Sequence, residues 1–171
     1  MDTRTVALLV VAVVFGILVG AAGATALQDD IQSDQEPQLG EDPAYYFSAG
    51  TTRAADAAEN PDAGWVHEVQ TDDVIVVTGN ATVRHPANTS VDLEIRAAGR
   101  DDYVIQLATE PTNETKASSP QVSDVQWGTS IPKDYGSIEL RAGDDRIRII
   151  ENDEATTPRL FSLPNPIDLQ E

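Results

Sequence analysis

From Trp65 onward the chain alternates. Val91, Leu93 and Ile95 are separated by Asp92, Glu94 and Arg96, and Tyr103, Ile105 and Leu107 repeat the pattern. Val125 with Trp127, Ile138 with Leu140, and Ile147 with Ile149 continue it. A period of two places successive side chains on opposite faces of a strand, so each segment has one apolar and one wet face. A helix cannot bury such a pattern, because its apolar stripe recurs every three to four residues. Val74 to Val77 is apolar throughout and is expected to be a strand buried on both faces. Turn-forming clusters separate the segments: Pro86-Ala87-Asn88, Gly99-Arg100-Asp101, Pro111 to Asn113, Pro132 to Gly136 and Gly143-Asp144-Asp145. Seven or eight short strands at this spacing predict a mainly β domain over residues 65–171, an antiparallel β-sandwich with Greek-key connections. Leu160 to Leu163 reads as its final edge strand, and Pro164-Asn165-Pro166 opens an extended tail. No alternation of strand with helix is present, which argues against a parallel α/β layout.

The N-terminus obeys different physics. No charged residue stands between Arg4 and Asp29, and most positions there are Val, Leu, Ile, Ala or Gly. At about 1.5 Å per helical residue, that run crosses a hydrocarbon layer of about 30 Å. Residues 1–27 are therefore expected to form a single transmembrane anchor. Arg4 precedes the run and Asp29 and Asp30 follow it, so the positive-inside bias puts the N-terminus in the cytoplasm and the C-terminal domain outside. Ala12, Gly16, Gly20 and Ala24 share one face of this helix at a spacing of four, the arrangement that lets membrane helices pack closely. The competing reading is a cleaved leader, with Ala24-Thr25-Ala26 as the site and release after Ala26. With no cysteine in the chain, neither a lipidated anchor nor a disulfide is available.

Residues 28–64 begin rich in Asp, Gln, Glu and Pro and are expected to form an acidic stalk. An Ala-rich stretch predicts a short helix at 52–59, capped by Thr51 and stopped by Asn60-Pro61. Tyr45, Tyr46 and Phe47 are placed to pin this entry segment onto the domain. The formal net charge is −18, and Asp2 and Arg4 cancel in the anchor, so the whole excess sits on the exported part. Such a surface repels itself in ordinary saline, whereas at molar salt the screening length falls to about 3 Å. Among the basic residues only Lys116 and Lys133 are lysines. An acidic, lysine-poor, cysteine-free composition points to an extreme halophile. The same charge argues against nucleic acid and anionic membrane surfaces as partners.

The segment Val74 to Ala97, VIVVTGNATVRHPANTSVDLEIRA, resembles the opening two strands of Ig-like domains in haloarchaeal cell-surface and S-layer proteins. A Val-rich strand with a Gly, a Pro/Asn turn and an alternating strand carry the resemblance. It implies an Ig-like sandwich and a cell-surface location, and assigns no functional residue. The chain departs from the usual surface glycoprotein in having its anchor at the N-terminus.

Three N-x-S/T sequons, at Asn80, Asn88 and Asn113, are candidate glycosylation sites, the last two in expected turns. Acidic doublets at Asp72-Asp73, Asp101-Asp102, Asp144-Asp145 and Asp153-Glu154 lack the loop spacing of a calcium site and read as solvated surface. His67 and His85 fall in no recognisable nucleophile, zinc or redox motif, and no cofactor signature is present. Alternation turns Trp127 inward with Val125. The expectation is a non-enzymatic, membrane-anchored, glycosylated extracellular structural or interaction protein, whose partners are a homo-oligomer or other surface-layer components. The alternatives are a subunit of a larger membrane or virion assembly that associates through the transmembrane helix, and a secreted binding module or hydrolase.

Overall fold

The computed structural model describes residues 37–50, 52–56, 60–112 and 117–169. The expected anchor, with Ala12, Gly16, Gly20, Ala24 and Ala26, lies outside the described residues, as does Asn113. Among the described residues no helix is long and apolar enough to cross a membrane.

The described chain is mainly β. Its strands are β1 (Tyr45–Ala49), β2 (Arg53–Ala54), β3 (Trp65–Gln70), β4 (Val74–His85), β5 (Thr89–Ala97) and β6 (Asp102–Pro111). They continue with β7 (Gln121–Pro132), β8 (Ser137–Ala142), β9 (Asp145–Glu151), β10 (Arg159–Ser162) and β11 (Ile167–Asp168). The larger sheet runs β1-β7-β4-β3-β10, with β2 also on β7 and β11 also on β4. The smaller sheet runs β5-β6-β8-β9. Seven of these strands, β4 to β10, match the alternating and apolar segments of the sequence, and β3 begins at Trp65, where the alternation is expected to start. The other three, β1, β2 and β11, are peripheral additions to the larger sheet.

One apolar cluster joins the two sheets. Ile75, Val77, Ala81 and Val83 of β4 meet Leu93 and Ile95 of β5, Ile105 and Leu107 of β6, and Leu140 of β8. Each fully buried Val, Ile or Leu among them contributes about 1.5–3 kcal/mol. Trp127 is fully buried, as its alternation predicts, with its ring against Gly79. The apolar run at Val74 to Val77 is buried on one face only: Ile75 and Val77 point into the core, whereas Val74 and Val76 are half-exposed. Apolar content at β4 therefore overstated burial, because its second face is shielded only by neighbouring side chains.

Further expectations need correction. The sheets are mixed rather than antiparallel throughout, because β6 and β8 pair in parallel, as do β11 and β4. A parallel pair needs a crossover, and β7 supplies it for β6 and β8 by running through the opposite sheet. The segment expected as a helix at 52–59 begins as a strand: Arg53 and Ala54 pair with Val122 and Gln121. Arg53 also forms a two-pronged ion pair with Asp124 at 2.6 and 3.1 Å, a tertiary tie that overrides the helix preference of the nearby alanines. Finally, the extended tail packs into the domain, since Leu163, Ile167 and Leu169 are core residues. Part of the expected stalk likewise belongs to the domain: β1 pairs with β7 in the larger sheet, and the Asp42 carboxylate accepts the amide of Ala97, in β5 of the smaller sheet, at 2.8 Å.

Candidate functional site

Register in the larger sheet decides which side chains share its outer face. Ser162, Trp65, Asn80, Gln126 and Ser48 form one row across β10, β3, β4, β7 and β1. The next row is Leu160, His67, Thr78, Gly128 and Tyr46. Val69, Val76 and Ser130 extend the face by one more row. None of these thirteen positions is Asp, Glu, Lys or Arg, in a chain of which 23% is charged. The smaller sheet is different: its outer face carries Asp92, Glu94, Arg96, Glu139 and Arg141. On the larger sheet, charge resumes one row beyond Asn80, at Asp124.

Two aromatic rings flank the middle of the uncharged face. The indole Nε1 of Trp65 donates to the Asp62 carbonyl at 2.8 Å, which fixes the ring. On the other side Tyr46 lies over Gly128, where a Cβ would overlap its ring. Glycine at 128 therefore lets the tyrosine lie down across β7. The strip between the rings is about 10 Å wide at a strand spacing of about 4.8 Å, and its floor is Thr78, Asn80 and Gln126. Asn80 Oδ1 is closed off from solvent and has no hydrogen-bond partner among the described residues. Leaving such an acceptor unpaired costs about 1–3 kcal/mol. Leu160, 70% exposed, stands on the same face at the β10 edge.

The sequons are placed unequally. Asn88 is exposed at the β4–β5 turn with φ of 60°, and its Oδ1 accepts the Ala117 amide at 3.1 Å. Asn80 is half-buried in the central strand, and the hydroxyl of its sequon partner Thr82 is fully buried and donates to Asp124 Oδ1 at 2.8 Å. A glycosyl-transferring enzyme needs both residues of the sequon in reach, so the folded domain presents Asn88 and withholds Asn80.

The fold also makes contacts that the sequence concealed. His85 Nε2 and Ser123 Oγ are 3.0 Å apart, brought together by the β4–β7 pairing. The Pro86 carbonyl and Thr89 hydroxyl lie 3.2 and 3.0 Å from Nδ1. A carbonyl only accepts, so Nδ1 carries the proton and Nε2 accepts from Ser123, whose oxygen in turn faces the Thr52 hydroxyl at 3.0 Å. Burial lowers the imidazole pKa, against a smaller opposing pull from the Pro86 carbonyl. The arrangement has the parts of a base and a nucleophile, but His85 and Ser123 are 1% and 2% exposed. No substrate reaches them in this state, and the network serves to satisfy buried polar groups.

A second buried cluster joins β3 to β10 and to the β7–β8 connection. The Tyr135 hydroxyl donates to Glu68 Oε2 at 2.9 Å, and Arg159 Nη2 lies 2.8 Å from both Glu68 oxygens. Arg159 also reaches Asp153 at 2.7 Å. Burial first, then the Glu68 carboxylate, pushes the Tyr135 phenol well above its ordinary range, which makes it a poor nucleophile and a firm donor. Beside it is a cavity of about 340 Å³ lined by Lys133, Asp134, Asn152 and Glu154. The Tyr135 hydroxyl is committed to Glu68, so the cavity holds no activated group. Among the described residues no three His, Cys, Asp or Glu side chains gather to hold a metal.

Sequence comparison with protein-family models and curated proteins, and structural comparison with solved structures, find no match.

Proposed function

We propose that this chain is a non-enzymatic, membrane-anchored protein that displays an Ig-like β-sandwich outside the cell of an extreme halophile, glycosylated at Asn88, and binds a neighbour there. The observation that carries the reading is the uncharged outer face of the larger sheet on a chain of net charge −18. An acidic protein in brine gains solubility from carboxylates on any free surface. A face kept clear of them across five strands is one reserved for contact. The uncharged N-terminal run supports anchoring, and the exposed turn at Asn88 supports a glycan there. The order β3-β4-β7 within one sheet, facing β5-β6-β8-β9 across a common core, supports the β-sandwich part of the reading.

The test is the intact mass of the native protein from membrane and from medium. A full-length N-terminus in the membrane, with hexose mass on the Asn88 peptide, is the expected result. A species beginning at Leu27 in the medium would replace anchored display by a secreted module.

A further inference from the structure

Resting on that reading, we infer that the strip between Trp65 and Tyr46 is a binding platform for an uncharged glycan. Charge selects the class of ligand. The face holds no cation to recruit an anionic polymer, and the surrounding −18 charge repels one. It holds no carboxylate to hold a cationic ligand either. What it offers is two fixed rings, amides at Asn80 and Gln126, and the Thr78 hydroxyl. Rings stack on the apolar faces of sugars, while amides and hydroxyls pair with sugar hydroxyls in either direction. Sugar chemistry matches that inventory group for group.

Size separates a glycan from a second protein. Five strands by three rows cover roughly 20 Å by 15 Å, about 300 Å², from the spacings of strands and of alternate residues. A stable protein–protein contact takes about 800 Å² from each partner. The uncharged face is too small for that without spreading onto charged rows, where a second copy would bring like charges together. A few sugar rings fit within it.

The experiment uses the full chain in detergent at molar KCl. It is titrated with cellohexaose, maltohexaose and mannohexaose, and with hexagalacturonate as the anionic control, by calorimetry and tryptophan fluorescence. Saturable binding of at least one neutral hexamer and none of the hexagalacturonate is expected. Trp65→Ala and Tyr46→Ala should each weaken it at least tenfold, Trp65→Phe less, and Leu160→Ala not at all, with circular dichroism unchanged. Gln126→Ala, which removes an amide without touching a ring, should weaken it severalfold even where a ring variant misfolds. Absence of binding to all three neutral hexamers, or binding indifferent to Trp65 and Gln126, overturns the inference. Sedimentation in the same buffer then distinguishes the failures. A dimer dissolved by Leu160→Ala leaves the interaction face standing with a second copy as its partner, whereas a monomer with no ligand removes the interaction reading too.

Discussion

The indole ring of Trp127 lies directly on the backbone of Gly79, so that a Cβ built there would overlap ring atoms Cζ2 and Cε2. The two residues face each other in the β4–β7 register, at the centre of the larger sheet's inner face. No flexible chain end is available to move aside, because the colliding atoms belong to a rigid, fully buried ring. Gly79→Ala should therefore destabilise the domain by about 3 kcal/mol, at the upper end for overpacking. That corresponds to a fall in Tm of roughly 10 °C for a chain of this size. Gly99, where an added Cβ meets only ordinary contacts with Asp102, is the control, and Gly99→Ala should stay within about 0.5 kcal/mol. Thermal melts at constant molar salt decide it.

The Glu68–Arg159 pair should show strong coupling. Glu68 is 5% exposed at its side chain and Arg159 16%, so removing Arg159 leaves the Glu68 charge buried with only the Tyr135 hydroxyl, whereas removing Glu68 leaves Arg159 its Asp153 partner. Arg159→Met alone should cost about 3–5 kcal/mol, while Glu68→Met with Arg159→Met should recover most of that loss. A double-mutant cycle on Tm and on the denaturation midpoint measures the coupling. Additive losses would contradict the shared burial.

Acid should act in two steps. His85 has its folded pKa lowered, first by burial, so folding disfavours its charged form. Its contribution is complete above the unfolded value of 6.5 and is lost as pH falls from there toward the lower folded value. Asp124 behaves in the second window. Burial alone would raise its pKa, but the hydrogen bonds from Arg53 and Thr82 and the Arg53 charge outweigh that and leave it lowered. Its contribution is present above 3.8 and fades below it. Melts from pH 8 to pH 3 should show a slope of at most about 1.4 kcal/mol per pH unit for each group. His85→Gln should flatten the first step only.

Salt should matter throughout. With net charge −18, lowering salt from molar to about 0.15 M lengthens screening from about 3 Å to about 8 Å and restores repulsion across the acidic surface. The expected outcome is a Tm that falls steadily on dilution and recovers when KCl is restored. A flat profile would remove the inference of a halophilic origin.

Crosslinking in intact membranes addresses the uncharged N-terminal run. If Gly16 and Gly20 form a packing face, crosslinked dimers should disappear in the Gly16→Leu, Gly20→Leu double variant. Crosslinks that persist would assign any oligomer to the domain instead.

The sequence disclosed the parts of the fold whose physics is local. β5 and β6 were legible because Val91 to Arg96 and Tyr103 to Leu107 set apolar against polar at every step. β1 was not, since Tyr45, Tyr46 and Phe47 are three aromatics in a row and belong to a sheet edge only through β7. β2 was misread from its alanines, because the Asp124 that captures Arg53 lies far along the chain. Ile167 and Leu169 were hidden among prolines, although both are buried. The candidate face was illegible for a related reason. Its residues come from five strands, and their common lack of charge becomes visible only once the register brings Trp65, Asn80, Gln126 and Ser48 into one row. The His85–Ser123 contact depends on the same β4–β7 alignment.

The larger sheet is assembled from distant parts of the chain: β1 closes on β7, β10 on β3, and β11 on β4. Contacts so remote in sequence must form against chain entropy before they yield any stability, and domains built from them fold in milliseconds to seconds, roughly, rather than microseconds. Such a chain lingers unfolded after synthesis. On the proposed reading of an exported domain, such slowness keeps the polypeptide exportable, and refolding by dilution from guanidinium into molar KCl should run on that slower clock.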